Sequence, residues 1–186
     1  LPSFTGIIQV LFSLLSLIIM MNCSQKKESQ LPLPQSDSLQ STLPGEYQQL
    51  LGLEFGPDSF PSEFVEHTGY VLGLMEENEY IIDHVSKGAT QLVWLCKLTG
   101  RDQQGNPNLK ILDILILPVI ASDEQLLMGT CNYQTQKDPE VIAIVKFIES
   151  EAINEIRHAW RANRSKQRFE EVPASQVSCV DESLYL

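Results

Sequence analysis

Thr90 to Gly100 (TQLVWLCKLTG) and Leu109 to Pro118 (LKILDILILP) are the two stretches that decide the fold we expect for this chain. Two further apolar runs follow them, Gln125 to Tyr133 and Glu140 to Ile148. All four runs are short and rich in Leu, Ile and Val, and turn-forming residues separate them. This arrangement is typical of strands joined by turns, so it predicts an antiparallel meander.

The two faces of these strands follow from the alternation of side chains along an extended chain. In the first stretch, one face carries Leu92, Trp94, Cys96 and Leu98, and the other carries Gln91, Val93, Leu95 and Lys97. The stretch from Leu109 to Leu117 is apolar on both faces. This predicts a central strand that is covered on both sides.

Asp113 interrupts that second stretch. An ionised carboxylate within a sheet requires a partner or solvent. One structural interpretation is a pair with an arginine from the C-terminal helix, and another is a position near a sheet edge or bulge. The functional alternative is a catalytic acid. A structural role is favoured, and Asp113 is kept as a candidate polar site.

The segment after Ser150 has a helical period. Ser150 is a suitable N-cap, and small or apolar residues then recur at helical spacing: Ala152, Ile153, Ile156, Ala159, Trp160 and Asn163. We therefore predict a helix over residues 150–165 that packs on the sheet. With a further strand from Tyr80 to Val85, the predicted fold class is α+β. It comprises an antiparallel meander of four or five strands, one C-terminal helix and a disulfide-tied tail.

Basic residues cluster at the end of this predicted helix. Five of the 13 Lys and Arg residues fall between positions 157 and 168: Arg157, Arg161, Arg164, Lys166 and Arg168. Cations near a helix C-terminus complement the helix dipole, so a solvated helix end explains them. The functional alternative is an anion or partner site made by the four arginines, for example for lipid head groups.

Three cysteines follow Cys23 in the sequence: Cys96, Cys131 and Cys179. None belongs to a C-x-x-C motif, so no zinc or other metal site is predicted. In an oxidising compartment two of the three are expected to pair. Cys179 lies in the tail and Cys131 is its favoured partner, with a Cys96–Cys131 pair as the rival. Cys96 shares a face with apolar residues and is interpreted as a small buried side chain.

The histidines and the common catalytic motifs give little support to an enzyme. His67, His84 and His158 are scattered in the sequence. Asp83 and His84 are neighbours on a predicted strand, so their side chains point to opposite faces. No nucleophile elbow, phosphate loop, dinucleotide fingerprint or H-E-x-x-H motif is present, and no cofactor is predicted.

The N-terminal segment predicts export. Gly6 to Met21 is a nearly continuous apolar run. It is shorter than the roughly 20 residues of a membrane-spanning helix and suits an export signal. Cys23 follows this run directly and resembles the lipid-bearing cysteine of bacterial lipoproteins. The alternatives are plain cleavage and an uncleaved anchor.

The domain boundaries follow from composition. Residues 1–23 are predicted to be the leader and residues 24–45 a flexible linker rich in Ser, Gln and Pro. Residues 46–186 are predicted to be a single α+β domain. The expected location is the periplasmic side of a bacterial membrane or the cell envelope.

The charge of the chain excludes one class of partner. The formal net charge is −11, and the first 25 residues carry no charge. An acidic domain repels phosphate backbones, so a nucleic-acid partner is not expected. Acidity that keeps an exported domain soluble is the simplest explanation.

Several short motifs resemble uncharacterised small exported proteins of cyanobacterial type. They include VWLCKLTGRDQQGNP (93–107), KILDILILP (110–118), GTC (129–131), AWRANR (159–164) and VSC (177–179). The resemblance covers a little over half of the chain. It implies a single domain and a Cys131–Cys179 pair, and it carries no functional residues across.

Three functions are compatible with these features. The first is a non-enzymatic, membrane-tethered envelope protein that binds a partner protein or a small ligand. The second is a small hydrolase that uses Asp113, His84 or an arginine of the predicted helix. The third is a membrane-proximal structural module that uses the basic helix end. The first is favoured.

Overall fold

The computed structural model describes residues 43–73, 79–148, 150 and 152–180. The chain divides into residues 1–35 and 36–186, and every described residue lies in the second part. The predicted leader, the proposed lipid-bearing Cys23 and most of the predicted linker lie outside the described residues. In the part that is described, no helix is long and apolar enough to cross a membrane.

Three antiparallel sheets make up the regular structure of these residues. The first sheet has the order β1-β5-β4-β3-β2, and a short helix, α1 (Gly45–Gln48), precedes it. Its strands are β1 (Glu54–Phe55), β2 (Val65–Leu72), β3 (Tyr80–Lys87), β4 (Thr90–Arg101) and β5 (Pro107–Ile116). A 3-10 turn, Pro57–Ser59, follows β1.

The second and third sheets are built from the rest of the chain. The second has the order β12-β11-β9-β6 and the third β10-β13-β7-β8. The strands are β6 (Glu124–Met128), β7 (Cys131–Tyr133), β8 (Gln136–Lys137), β9 (Val141–Lys146), β10 (Ala152–Ile153), β11 (Ile156–Asn163), β12 (Arg168–Glu171) and β13 (Val177–Val180). A 3-10 turn, Ala174–Gln176, precedes β13.

Apolar side chains fill the spaces on both sides of the first two sheets. Leu43, Tyr47 and Phe64 from the N-terminal segment cover one face of the first sheet, around Trp94. The other face packs against the second sheet. The far face of the second sheet packs against the third. Leu43 is part of this core, so packing begins within the last residues of the predicted linker.

The predicted faces of β4 are confirmed. Leu92, Trp94 and Cys96 lie in the cluster under the N-terminal segment, and Val93 and Leu95 lie in the cluster between the first two sheets. Both faces of this strand are therefore buried.

The predicted single meander is wrong. Consecutive hairpins join β2 to β5, but the chain leaves this sheet after β5 and builds the second sheet from β6 onward. The strand β5 is covered on both faces as predicted, yet it lies second from the edge. Pro118 lacks the backbone donor that a continuing ladder needs, which fits the break at this point.

The predicted α+β class and its C-terminal helix over 150–165 are also wrong, because the chain is mostly β and this segment forms β10 and β11. Both faces of β11 are covered: Ala159 packs towards the third sheet, whereas Trp160 and Ala162 pack towards the first. An irregularity at Arg157 also shifts its pairing with β9. When both faces of a strand are buried and its register shifts, apolar residues do not alternate with polar ones along the sequence. In this segment the spacing of the buried residues resembles that of a helix.

Candidate functional site

A polar recess opens where the second and third sheets meet. Its volume is about 440 Å³ and it is lined by Tyr133, Gln134, Gln136, Lys137, Asp138 and Arg161. Five of these residues come from the β7–β8 hairpin and the residue that follows it, and Arg161 comes from β11. We refer to these six residues as the polar recess.

The hairpin turn of the polar recess has an uncommon backbone. Gln134 and Thr135 have φ angles of 50° and 70°. Two successive left-handed residues are what a tight two-residue hairpin requires, but glycine and asparagine usually occupy these positions. A β-branched threonine there is strained. Such strain persists where the surroundings fix the backbone, and it is common at binding sites.

The surroundings that fix this turn come from β13 and from the 3-10 turn before it. The amide of Gln134 donates to the carbonyl of Gln176 at 2.9 Å, and their side chains bond at 2.9 Å. Cys131, at the start of β7, forms a disulfide with Cys179 of β13. The predicted Cys131–Cys179 pair and the disulfide-tied tail are thus confirmed, and Cys96 is a free, buried cysteine as expected.

Arg161 forms the wall of the polar recess opposite the hairpin. Its guanidinium donates to Asp138 at 2.7 Å and pairs with Glu140 at 2.8 Å. Burial would lower the pKa of Arg161, but the hydrogen bond to Asp138 and the nearby carboxylates raise it above its usual value. Arg161 therefore stays charged, and two acidic groups hold its orientation.

Lys137 is the basic residue of the polar recess whose charge is not paired with a carboxylate of the described residues. Its ammonium makes no ion pair with any described carboxylate, whereas Arg161 is matched by Asp138 and Glu140. Lys137 is exposed on β8, next to the amides of Gln134 and Gln136. The recess can thus offer one ammonium, two amides and the Tyr133 phenol to a ligand.

Arg164 joins Arg161 at the buried Glu140, but the other predicted basic residues lie against other carboxylates. Arg157 pairs with Glu124 at 3.4 Å, Arg164 pairs with the buried Glu140, and Arg168 pairs with Glu170 at 3.0 Å. Hydrogen bonds from Lys166, Asn163 and Arg168 outweigh burial and lower the pKa of Glu170 to about 2. An external anion would have to displace these carboxylates.

Asp113 lies at a bulge in β5 and faces the second sheet. The register with β4 shifts there, from Leu95 opposite Asp113 to Cys96 opposite Ile111. The buried carboxylate accepts hydrogen bonds from the amide of Phe169 at 2.6 Å and from that of Ile114 at 2.9 Å. Asp113 therefore connects the first sheet to β12, which supports its structural interpretation.

We expect Asp113→Ala to lower the free energy of unfolding by about 2 kcal/mol, because two buried amides lose their hydrogen-bond acceptor. Urea denaturation of the variant and the native chain measures the difference. A variant as stable as the native chain would contradict the structural role.

A second buried acid, Asp83, was not identified from the sequence. It lies on β3 with only 5% of its surface exposed. Burial and, to a smaller extent, the Glu66 carboxylate raise the pKa of Asp83 to about 7, although a hydrogen bond with the Cys96 thiol acts to lower it. Burial and the neighbouring acid also raise the pKa of Cys96. An acid inside the apolar run YIIDHV was a usable signal, as it was for Asp113.

The residues named in the hydrolase hypothesis lie on different strands. Asp113 lies on β5 and His84 on β3 of the first sheet, with β4 between these strands, whereas Arg161 lies on β11 of the second sheet. Asp83 and His84 point to opposite faces as predicted, because Asp83 contacts Cys96 whereas His84 contacts Gln91.

The chain matches no protein-family model, no curated protein and no solved structure.

Proposed function

We propose that this protein is a non-enzymatic binding module of the cell envelope, and that the polar recess holds a small, polar, negatively charged ligand. The observation that carries the proposal is that Lys137 makes no ion pair within the described part of the chain and lies in a recess whose walls are held by a disulfide and by ion pairs. A preformed wall loses little conformational entropy when a ligand binds.

The chemistry of the lining favours binding over hydrolysis. The six lining residues include no Ser, Cys or His. These are the residues that most often act as nucleophile or base at neutral pH. Asp138 is occupied by Arg161 and by the amide of Glu140. What remains is a set of hydrogen-bonding groups and one cation, which can hold a ligand in place.

The ligand class follows from these groups. Lys137 favours a carboxylate or another small anion, and the amides of Gln134 and Gln136 favour neighbouring hydroxyl or amide groups. The volume of about 440 Å³ suits a molecule the size of an acidic sugar or a short acidic peptide. Such molecules carry few negative charges, so the acidic chain repels them less than it repels a nucleic acid.

The cellular location is part of the same proposal. Structural disulfides persist in oxidising compartments such as the bacterial periplasm, and the Cys131–Cys179 bond is compatible with one. The apolar run from Gly6 to Met21 and Cys23 support export and a tether to the membrane. The resemblance to small exported proteins of cyanobacterial type points to the same location.

The test is a titration of the oxidised protein with matched acidic and neutral ligands. Nuclear magnetic resonance would follow the Gln134 and Gln136 amides while glucuronate, glucose and a short acidic peptide are added. We expect the acidic compounds to shift these signals. Lys137→Gln should weaken that binding by about tenfold, the effect of losing one charge-assisted hydrogen bond.

The matched control is Lys110→Gln, which removes the same charge from β5 of the first sheet. It should bind like the native chain. Equal weakening by both variants would show a general charge effect. Stronger binding of the neutral sugar, or no binding by any of the compounds, would also overturn the proposed ligand class.

A further inference from the structure

Two histidines that are distant in sequence meet on the first sheet. His67 lies on β2 and His84 on β3, and their ring centroids are 4.7 Å apart with an angle of 37° between the planes. His67 is exposed and His84 is half-buried. Solvent therefore reaches the pair from the β2 side. We refer to these two residues as the histidine pair.

A bulge in β2 brings the pair together. The register with β3 passes from Glu66 opposite Val85 to Thr68 opposite His84, so His67 is the inserted residue. Bulges of this kind redirect a side chain. The Glu66 carboxylate repels the Asp83 carboxylate on one face of the sheet. On the other face, His67 contacts Ser86 and His84.

The hydrogen bonds of the pair determine which ring nitrogens remain available. The Nε2 atom of His84 bonds to the Oε1 atom of Gln91. An amide oxygen only accepts, so Nε2 of His84 donates in this bond and Nδ1 is the ring nitrogen left to bind an ion. The Nε2 atom of His67 lies 2.8 Å from the Oγ atom of Ser86, which can accept in the same way.

This arrangement matches the way proteins prepare histidine to bind metals. A metal-binding imidazole usually donates its other N–H to an oxygen acceptor, which fixes the tautomer and the ring orientation. Ser86 and Gln91 supply those acceptors, one for each histidine. Two imidazoles side by side supply nitrogen ligands of the kind that suit zinc, copper and nickel ions.

We propose that His67 and His84 bind one divalent transition-metal ion through their Nδ1 atoms, with Ser86 and Gln91 as the outer hydrogen-bond acceptors. Within the residues described, no group of three or more His, Cys, Asp and Glu side chains is placed to hold a metal ion. The proposed site therefore has two protein ligands, both imidazoles, and water molecules complete the coordination of the ion. Its effect is to fasten the edge strand β2 to β3.

The experiment uses the oxidised full chain at pH 7.5 and zinc chloride as the probe. Calorimetry measures stoichiometry and affinity, and thermal unfolding measures stabilisation by zinc. We expect one zinc ion per chain and a rise in the unfolding temperature. His67→Gln and His84→Gln should each weaken binding at least tenfold. Gln91→Leu should weaken it by about tenfold, the lower end of the effect of losing an outer hydrogen bond.

Two controls make the result decisive. His158→Gln removes the third histidine, which stacks on Trp160 at 5.7 Å on a different sheet, and it should leave zinc binding unchanged. Magnesium prefers oxygen ligands and should not bind. The proposal is overturned if zinc binds no tighter than magnesium, or if His67→Gln binds zinc like the native chain. His67 is exposed, so this variant is expected to fold.

Discussion

Replacing Cys179 with serine is expected to lower the free energy of unfolding by about 4 kcal/mol. The disulfide with Cys131 closes a loop with a sequence separation of 48 residues, and opening it restores conformational freedom to the unfolded chain. The bond also joins β13 to β7, the first strand of the hairpin that lines the polar recess. Urea denaturation followed by tryptophan fluorescence measures the change.

Three comparisons isolate this effect. Cys131→Ser should cost as much as Cys179→Ser, and the double variant should cost no more than either single one, because one bond is lost in each case. Cys96→Ala removes a thiol without breaking the bond and serves as the matched control. A loss below about 1 kcal/mol in Cys179→Ser would show that strand pairing holds the tail without the disulfide.

Replacing Asp83 with asparagine is expected to stabilise the protein by about 4 kcal/mol at pH 8. The pKa of Asp83 rises from 3.8 to about 7 on folding, so the folded chain holds this proton more tightly than the unfolded chain. Stability from this group is fully present below pH 3.8 and is lost as the pH rises through about 7. Asparagine is neutral throughout and avoids that loss.

The pH dependence distinguishes this mechanism from a general effect of the substitution. The stability difference between Asp83→Asn and the native chain should be small at pH 4, grow as the pH rises towards about 7, and level off above it. A chelator in the buffer excludes any contribution from metal at the neighbouring His84. Asp123→Asn changes an exposed aspartate and is the matched control. A stability difference that is the same at pH 4 and pH 8 would contradict the raised pKa.

The candidate sites could be predicted from the sequence only in part. The basic residues around Arg161 mark it in the sequence, but no pattern marks the two carboxylates that pair with it. Asp138 and Glu140 precede it by more than 20 positions, and only the pairing of β11 with β9 brings them near. The histidine pair depends in the same way on the register of β2 with β3 and on a bulge that no residue pattern reveals.

By itself, the sequence determined the local properties of this chain. Alternation placed the two faces of β4, turn residues separated the strands, and the position of Cys179 in the tail favoured its bond with Cys131. These features depend on neighbouring residues or on which cysteines are present.

Only the tertiary structure decided that β11 is a strand. Its buried positions have the spacing of a helix, and the layers that cover both faces of this strand come from distant parts of the chain. Burial between two layers and pairing with β9 outweigh local propensity, which is worth only tenths of a kcal/mol per residue. The second and third sheets, and with them the polar recess, follow from that one long-range choice.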